Sequence, residues 1–194
     1  MMKRDEVLKV IHEHRGNAVV VAHFHTAFDM MRVASHPLNY YSVGAMGQAS
    51  SHGLGLALGL PERKIIVVDG DGSLLMNLGT LVTVAEAAPP NLIHFVGENG
   101  VYETNGSHPL PGMGRTDFPA MARAAGFREV YRIETIADLR AKLPEILSQN
   151  EPVFCSLMMV EGEQSREDWL YINGPKHRAE FAEGLKAARA ASNR

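Results

Sequence analysis

Short apolar runs built mainly of Val and Ile alternate along this chain with longer stretches in which apolar residues return every three or four positions. The first periodic stretch, residues 4 to 14, places Val7, Leu8, Val10 and Ile11 at helical spacing, and Gly16-Asn17 supplies the stop. Residues 17 to 22 then read as a strand buried on both faces of a parallel sheet. Further strand-like runs stand at 39–43, 65–68, 92–96, 129–133 and 152–158. Between them the pattern predicts helices over 27–34, within 44–59, from Ser73 onward, over 118–127 and over 136–147. Strands alternating with helices in this way predict an α/β fold, a doubly wound, about six-stranded parallel sheet with helices on both faces.

The chemistry concentrates between Lys64 and Gly106. The run Ile65 to Val68 ends in Asp69-Gly70-Asp71-Gly72, where the glycines allow a ligand to approach the main chain, and Ser73 opens a helix whose free N–H groups attract anions. The run Leu92 to Val96 ends in Glu98-Asn99-Gly100-Val101-Tyr102. A right-handed βαβ unit brings both strand ends to one sheet edge, so Asp71 and Asn99 are expected to be neighbours. The Asp71 carboxylate, the Asn99 amide oxygen and the Val101 carbonyl would then give a divalent cation three oxygens, leaving about three positions of an octahedral Mg²⁺ for phosphate and water. Taken alone, Gly-Asp-Gly is more often a plain βα turn, and Asn99-Gly100 a plain loop.

The spacing adds what the short motif lacks. Residues 73 to 97 separate Gly72 from Glu98, 25 positions in all. That pattern resembles the thiamine diphosphate signature, a GDG and an asparagine pair about that far apart, with Glu98 here in the first asparagine's place and Asn99 in that of the metal ligand. The resemblance extends over most of residues 17 to 160. It is to the diphosphate-binding half of the sulfopyruvate and phosphonopyruvate decarboxylases, whose GSMG, PERKVxVxDGDG and DNGxYxSTG segments have counterparts at 44–47, 61–72 and 98–106. The loop His23 to Met30, HFHTAFDM, differs from their TGKTSREL.

The resemblance implies that Asp71, Asn99 and the Val101 carbonyl hold Mg²⁺, and that Gly72 and Ser73 offer N–H groups to the diphosphate of thiamine diphosphate. It also assigns Thr26, Gly44, Gly70, Tyr102 and Glu103 to the cofactor-binding set. Met46 matches the apolar residue that props the cofactor into its folded V shape; read by itself, it is a gap-filler in the core. His25 and His108 are the remaining catalytic candidates, with Thr104 and Asn105 facing substrate, against the plainer reading of solvated loops. His23 and His25 share a face if both lie on a strand, yet no second pair stands nearby to complete a zinc site. Of the cations Arg63, Lys64 and Arg115, only Arg115 is expected near the active edge.

In this family the cofactor attacks a 2-oxo acid, and a glutamate on a pyrimidine-binding domain activates it. No second βα domain that could carry this glutamate is expected within these 194 residues. The expectation is therefore a split 2-oxo-acid decarboxylase in which this chain, inactive alone, pairs with a separate pyrimidine-binding subunit that carries the activating glutamate. A carboligase of the acetolactate-synthase type and a non-catalytic thiamine diphosphate-binding module stand as alternatives. The hetero-oligomer would act on a small 2-oxo acid.

Composition narrows the rest. With 194 residues and 45% hydrophobic content, one domain with a full-sized core is expected, and the resemblance implies that residues 1–160 form its cofactor-binding part, followed by a tail over 161–194. The net charge of −3 gives no reason to expect nucleic acid, and the longest apolar runs are too short to span a bilayer. The charged start, MMKRDEVLKVIHEHR, resembles neither a signal peptide nor an anchor, and the single Cys155 fits a reducing cytoplasm. Trp169, Leu170 and Tyr171 form an apolar cluster in the tail, placed either on its own domain or at a subunit contact.

Overall fold

The structure is a computed structural model that describes residues 1–42, 46–163 and 166–192. The elements follow in the order α1 (Arg4–His14), β1 (Val19–His23), α2 (Phe24–Val33), β2 (Asn39–Ser42), α3 (Ala49–Gly59), β3 (Ile65–Gly70), α4 (Asp71–Met76), α5 (Gly79–Ala87) and β4 (Leu92–Glu98). A small hairpin, β5 (Val101–Tyr102) and β6 (His108–Pro109), precedes α6 (Phe118–Ala125), β7 (Glu129–Ile133), α7 (Ile136–Ser148), β8 (Val153–Met158), α8 (Trp169–Asn173) and α9 (Pro175–Ser192). Six strands form one parallel sheet in the order β2-β1-β3-β4-β8-β7, as the alternating pattern predicted.

Side-chain alternation explains how one sheet feeds two cores. Val20, Ala22, Ile66, Val68, Ile93 and Phe95 face α1, α2 and α7, meeting Val7, Phe28 and Leu143 there. Val19, Val21, Ile65, Val67, Leu92 and Val96 face the other layer, with Ala57 of α3, Leu81 of α5 and Phe118 of α6. The central strands are therefore apolar at nearly every position. The small residues of α3 serve close packing: a Cβ on Gly53 would run into the side chain of Val67 on β3.

Several boundaries differ from the pattern reading. β3 and β4 run on to Gly70 and Glu98 because sheet pairing, Asp69 with Val96 and Gly70 with Gly97, carries the strands past their apolar residues. The helix expected from 27 begins at Phe24, so His23 to Thr26 are not a solvated loop; His23 and His25 are buried and only His23 belongs to the strand. Residues 101–109 form a hairpin around a 3₁₀ turn, Glu103–Asn105, where an open loop was expected. Of the stretch 44–59, within which the third helix was expected, residues 44 and 45 lie outside the described residues, and the helix is seen from Ala49.

The tail packs on its own domain. Trp169 meets Phe24 and Phe28 edge-on, with ring centres 5.6 and 4.9 Å away, while Phe181 of α9 lies 5.2 Å from Tyr40 of β2. Leu170 remains 90% exposed. Cys155 is buried in β8, where burial pushes its thiol pKa up. Among the described residues no helix is long and apolar enough to cross a membrane.

The order of strands locates a crevice. From β1 the chain crosses by α2 to β2 at the sheet's edge, whereas from β3 it crosses by α4 and α5 to β4 on the other side. These helices lie in opposite layers, so the loops leaving β1 and β3 diverge and open a cleft at the carboxyl ends of the strands.

Candidate active site

The cleft is lined by residues from four places: His23 to Thr26 at and after the end of β1; Met46 after β2; Asp69 to Ser73 at and after the end of β3; and Asn99 and Val101 to Thr104 after β4. Arg4, Val68, Gly97 and Met159 complete the lining. The GDG turn and the Asn99 loop meet as expected. Asp71 is buried, and its Oδ2 accepts hydrogen bonds from the backbone N–H groups of Asn99 (3.0 Å) and Gly100 (2.8 Å), while Oδ1 accepts from Gly72 N–H at 2.8 Å. Burial pushes its carboxyl up to about 6, against the opposing pull of those three N–H groups.

Asn99 Oδ1 accepts from Val101 N–H at 3.0 Å, which ties the loop together with both residues in the cleft lining. Gly72 has a steric reason: a Cβ there would stand 2.6 Å from the ring of Tyr102. Glu98 points elsewhere. Its carboxyl accepts from Ser156 Oγ on β8 and its pKa is raised by burial, and it does not line the cleft.

The turn after β2 is tied down from both sides. Gly47 N–H donates to Ser73 Oγ at 2.8 Å and Asn77 Nδ2 donates to Gly47 O at 3.0 Å, which sets half-buried Met46 over the cleft. Gly44 lies outside the described residues. Thr26, Gly70, Tyr102 and Glu103 all line the cleft. His108 and Asn105 do not: both are exposed on the hairpin. Arg115 is exposed and away from the cleft lining, and Arg63 and Lys64 bond to Asn17 O and Gln149 O at the far edge of the sheet.

Two groups escaped the sequence reading. Arg4 opens α1 on a charged turn that looks solvent-facing, yet it is buried; its Nε donates to Asp29 Oδ2 at 2.6 Å and its Nη1 to Glu103 Oε2. Glu103 also accepts from Gly162 N–H at 2.6 Å and faces His25 Nδ1 at 3.4 Å. Burial opposes the charge of Glu103, but His25, Gly162 and Arg4 together outweigh it and bring its pKa down to about 2. His25 Nε2 in turn stands 3.4 Å from Glu167 Oε1, so both ring nitrogens face carboxylates. The second missed group is Asp69, buried against His94 Nε2 at 3.4 Å. Burial alone would raise the Asp69 carboxyl, and His94 turns the shift downward. A histidine within the apolar run LIHFV was the available sign.

The donor set tests whether a metal and diphosphate suit the site. Among the described residues no three His, Cys, Asp or Glu side chains converge to hold a metal unaided. One carboxylate, one amide and one carbonyl supply hard oxygens but little charge, which fits a magnesium ion that draws its remaining donors from a bound diphosphate.

Residues 15–157 match the family described as thiamine pyrophosphate enzyme, C-terminal TPP binding domain. The chain belongs to that family. It is 39% identical over 145 residues to phosphonopyruvate decarboxylase of Streptomyces hygroscopicus, covering 75% of this chain and 36% of that protein. It is 37% identical over 134 residues to the sulfopyruvate decarboxylase subunit beta of Methanothermobacter thermautotrophicus, covering 69% of each. The chain thus spans about a third of the phosphonopyruvate decarboxylases it matches. The crystal structure of benzoylformate decarboxylase from Polynucleobacter necessarius shares the fold, with a TM-score of 0.64 at 22% identity, over 81% of this chain and 33% of that one.

Proposed function

We propose that this chain is the diphosphate-binding subunit of a split thiamine diphosphate-dependent decarboxylase of small 2-oxo acids, of the sulfopyruvate and phosphonopyruvate decarboxylase type. The observation that carries the reading is the convergence of Asp71, Asn99 and Val101 beside the start of α4 at the switch point of the sheet. Asp71, the Asn99 amide and the Val101 carbonyl would hold Mg²⁺. Gly70, Gly72 and Ser73 form the diphosphate side, and Met46, Thr26 and Tyr102 face the organic part. Gly44 is assigned with them on the sequence resemblance alone.

Bound thiamine diphosphate supplies the electron sink that takes up the pair released with CO₂. This chain's own part is to fix and shield. Asp71 orders two loops with one carboxylate, Tyr102 closes over Gly72, and the cleft floor of Val68 and Met159 keeps water out. His25, in the cleft lining with its ring nitrogens facing Glu103 and Glu167, is kept as the proton-transfer candidate, whereas His108 is exposed on the hairpin outside the lining.

The activating glutamate is assigned to a separate pyrimidine-binding subunit, giving a hetero-oligomer. The support is the likeness to a subunit named beta that this chain covers to the same extent as it is itself covered. A cytoplasmic location agrees with one buried cysteine. The test is titration calorimetry of thiamine diphosphate with Mg²⁺ into the purified chain, alone and with the neighbouring gene's product. Tight binding that requires the second chain, with 2-oxo-acid decarboxylation by the pair, is the expected result. Absence of binding in both titrations overturns the assignment of Asp71 and Asn99.

A further inference from the structure

The cleft wall after β1 has a feature that its local sequence does not require. Phe24 adopts φ +45°, a backbone region that L-residues other than Asn and Asp seldom occupy. Such torsions persist only where the surroundings hold them. Here the hold is aromatic. The Phe24 ring lies 4.3 Å from the ring of His23 and 5.6 Å, edge-on, from Trp169, which is itself braced by Phe28 at 4.9 Å. The left-handed turn puts a half-buried phenyl ring into the cleft lining, in company with Met46, Tyr102 and Met159.

The charges of the cleft point the same way. Among the described residues Arg4 is the only Lys or Arg in the lining, and its guanidinium is already engaged by Asp29 and Glu103. The lining also carries Asp69 and Asp71. A phosphonate or sulfonate placed here would lie beside the carboxylates of Asp69 and Glu103; the one guanidinium of the lining already serves Asp29 and Glu103, and His25 stands between Glu103 and Glu167, so an added anion would have to compete for its partner in a partly dehydrated site. An alkyl tail would meet an aromatic and thioether surface.

Resting on the site reading above, we propose that Phe24 is the specificity-determining residue of the cleft, selecting 2-oxo acids with an uncharged, apolar tail over those that carry a phosphonate or sulfonate. Trp169 and Phe28 are positioning residues that keep its ring in place.

Trp169 is the chain's single tryptophan and touches Phe24, so its fluorescence reports ligands at this wall. The chain, paired with the neighbouring gene's product, is saturated with thiamine diphosphate and Mg²⁺ and rapidly mixed with 2-oxo-4-methylpentanoate or with phosphonopyruvate at increasing concentrations. The apolar acid should bind about tenfold or more tightly than phosphonopyruvate. Phe24→Gly should erase most of that preference and Phe24→Leu should keep most of it, with cofactor affinity unchanged in both. Because glycine accepts the positive φ, relief of strain offsets part of the lost ring contacts, and a cooperative melt of Phe24→Gly separates loss of selectivity from loss of fold. Equal or tighter binding of phosphonopyruvate, binding of neither acid, or an unaltered preference in Phe24→Gly overturns the inference while leaving the cofactor site standing. Failure of the pair to bind thiamine diphosphate and Mg²⁺ overturns the site reading and this inference together.

Discussion

At the Asp71 corner of the cleft, one carboxylate receives three backbone N–H groups from two loops that leave neighbouring strands. At the Phe24 wall, α1, α2, the 3₁₀ turn and the segment before α8 each contribute a charged or aromatic side chain, and the Arg4–Glu103 pair spans 99 positions of the chain. The corner is made of backbone geometry and glycine, which tolerates little change in residue type. The wall is made of side chains that compensate one another, which can be exchanged as a set. A fold of this kind can therefore keep its cofactor end constant while its substrate end changes.

The strongest way to break the contrast is to disturb the wall and watch the corner. Arg4→Met removes the main cation beside Glu103, while Asp29 keeps Arg32 at 3.3 Å. It is expected to lower the unfolding free energy by about 3 kcal/mol, because a buried carboxylate loses its partner. Urea denaturation measures this, and the affinity of the folded protein for Mg²⁺ and thiamine diphosphate should hardly move. A matching loss of affinity would show that the two ends work as one unit.

Asp71→Asn attacks the corner instead. It keeps the size and one acceptor but removes the charge, and it should weaken Mg²⁺-dependent cofactor binding by about a hundredfold in calorimetry, a loss of about 2.7 kcal/mol. Asp71→Ala, which from sequence would be expected to leave the fold intact, loses three loop hydrogen bonds as well and should also melt earlier. If the ends are independent, the stability losses of Arg4→Met and Asp71→Asn should add to within about 0.5 kcal/mol in the double variant.

Gly72→Ala sharpens the comparison at one atom. The new methyl would stand 2.6 Å from Tyr102 Cδ1, so β5 must shift, with a cost of about 1–3 kcal/mol and a weaker metal site. Unchanged melting and cofactor affinity would show that Tyr102 gives way freely.

The smallest effect lies outside both ends. His36 Nδ1 accepts from Leu38 N–H at 3.1 Å, and burial, helped by the charges of Arg15 and His12, brings its pKa down to about 4. The unfolded state therefore takes up a proton first, near 6.5, and stability should fall as pH drops through the window from about 6.5 to about 4. His36→Gln should flatten that part of the pH profile in urea midpoints. An equal slope in the variant would assign the loss to other groups.

Much of the molecule could be read in the chain itself. Six strands, their parallel order of use and the meeting of Asp71 with Asn99 follow from local patterns, because a strand covered on both faces must be apolar throughout and a right-handed crossover leaves little choice of where its ends go. Gly53 and Gly72 were visible as small residues before it was known that Val67 and Tyr102 crowd them. What only the tertiary structure decided is the other wall. No periodicity marks Arg4 as buried rather than solvated, and no motif pairs Glu103 with residues 4 and 162 or Trp169 with Phe24. Those partners lie far apart in sequence, and each side chain alone would be content in water. Burial and charge become properties of these residues only when distant segments close around them, whereas the glycine turn at Asp71 carries its conformation in its own backbone.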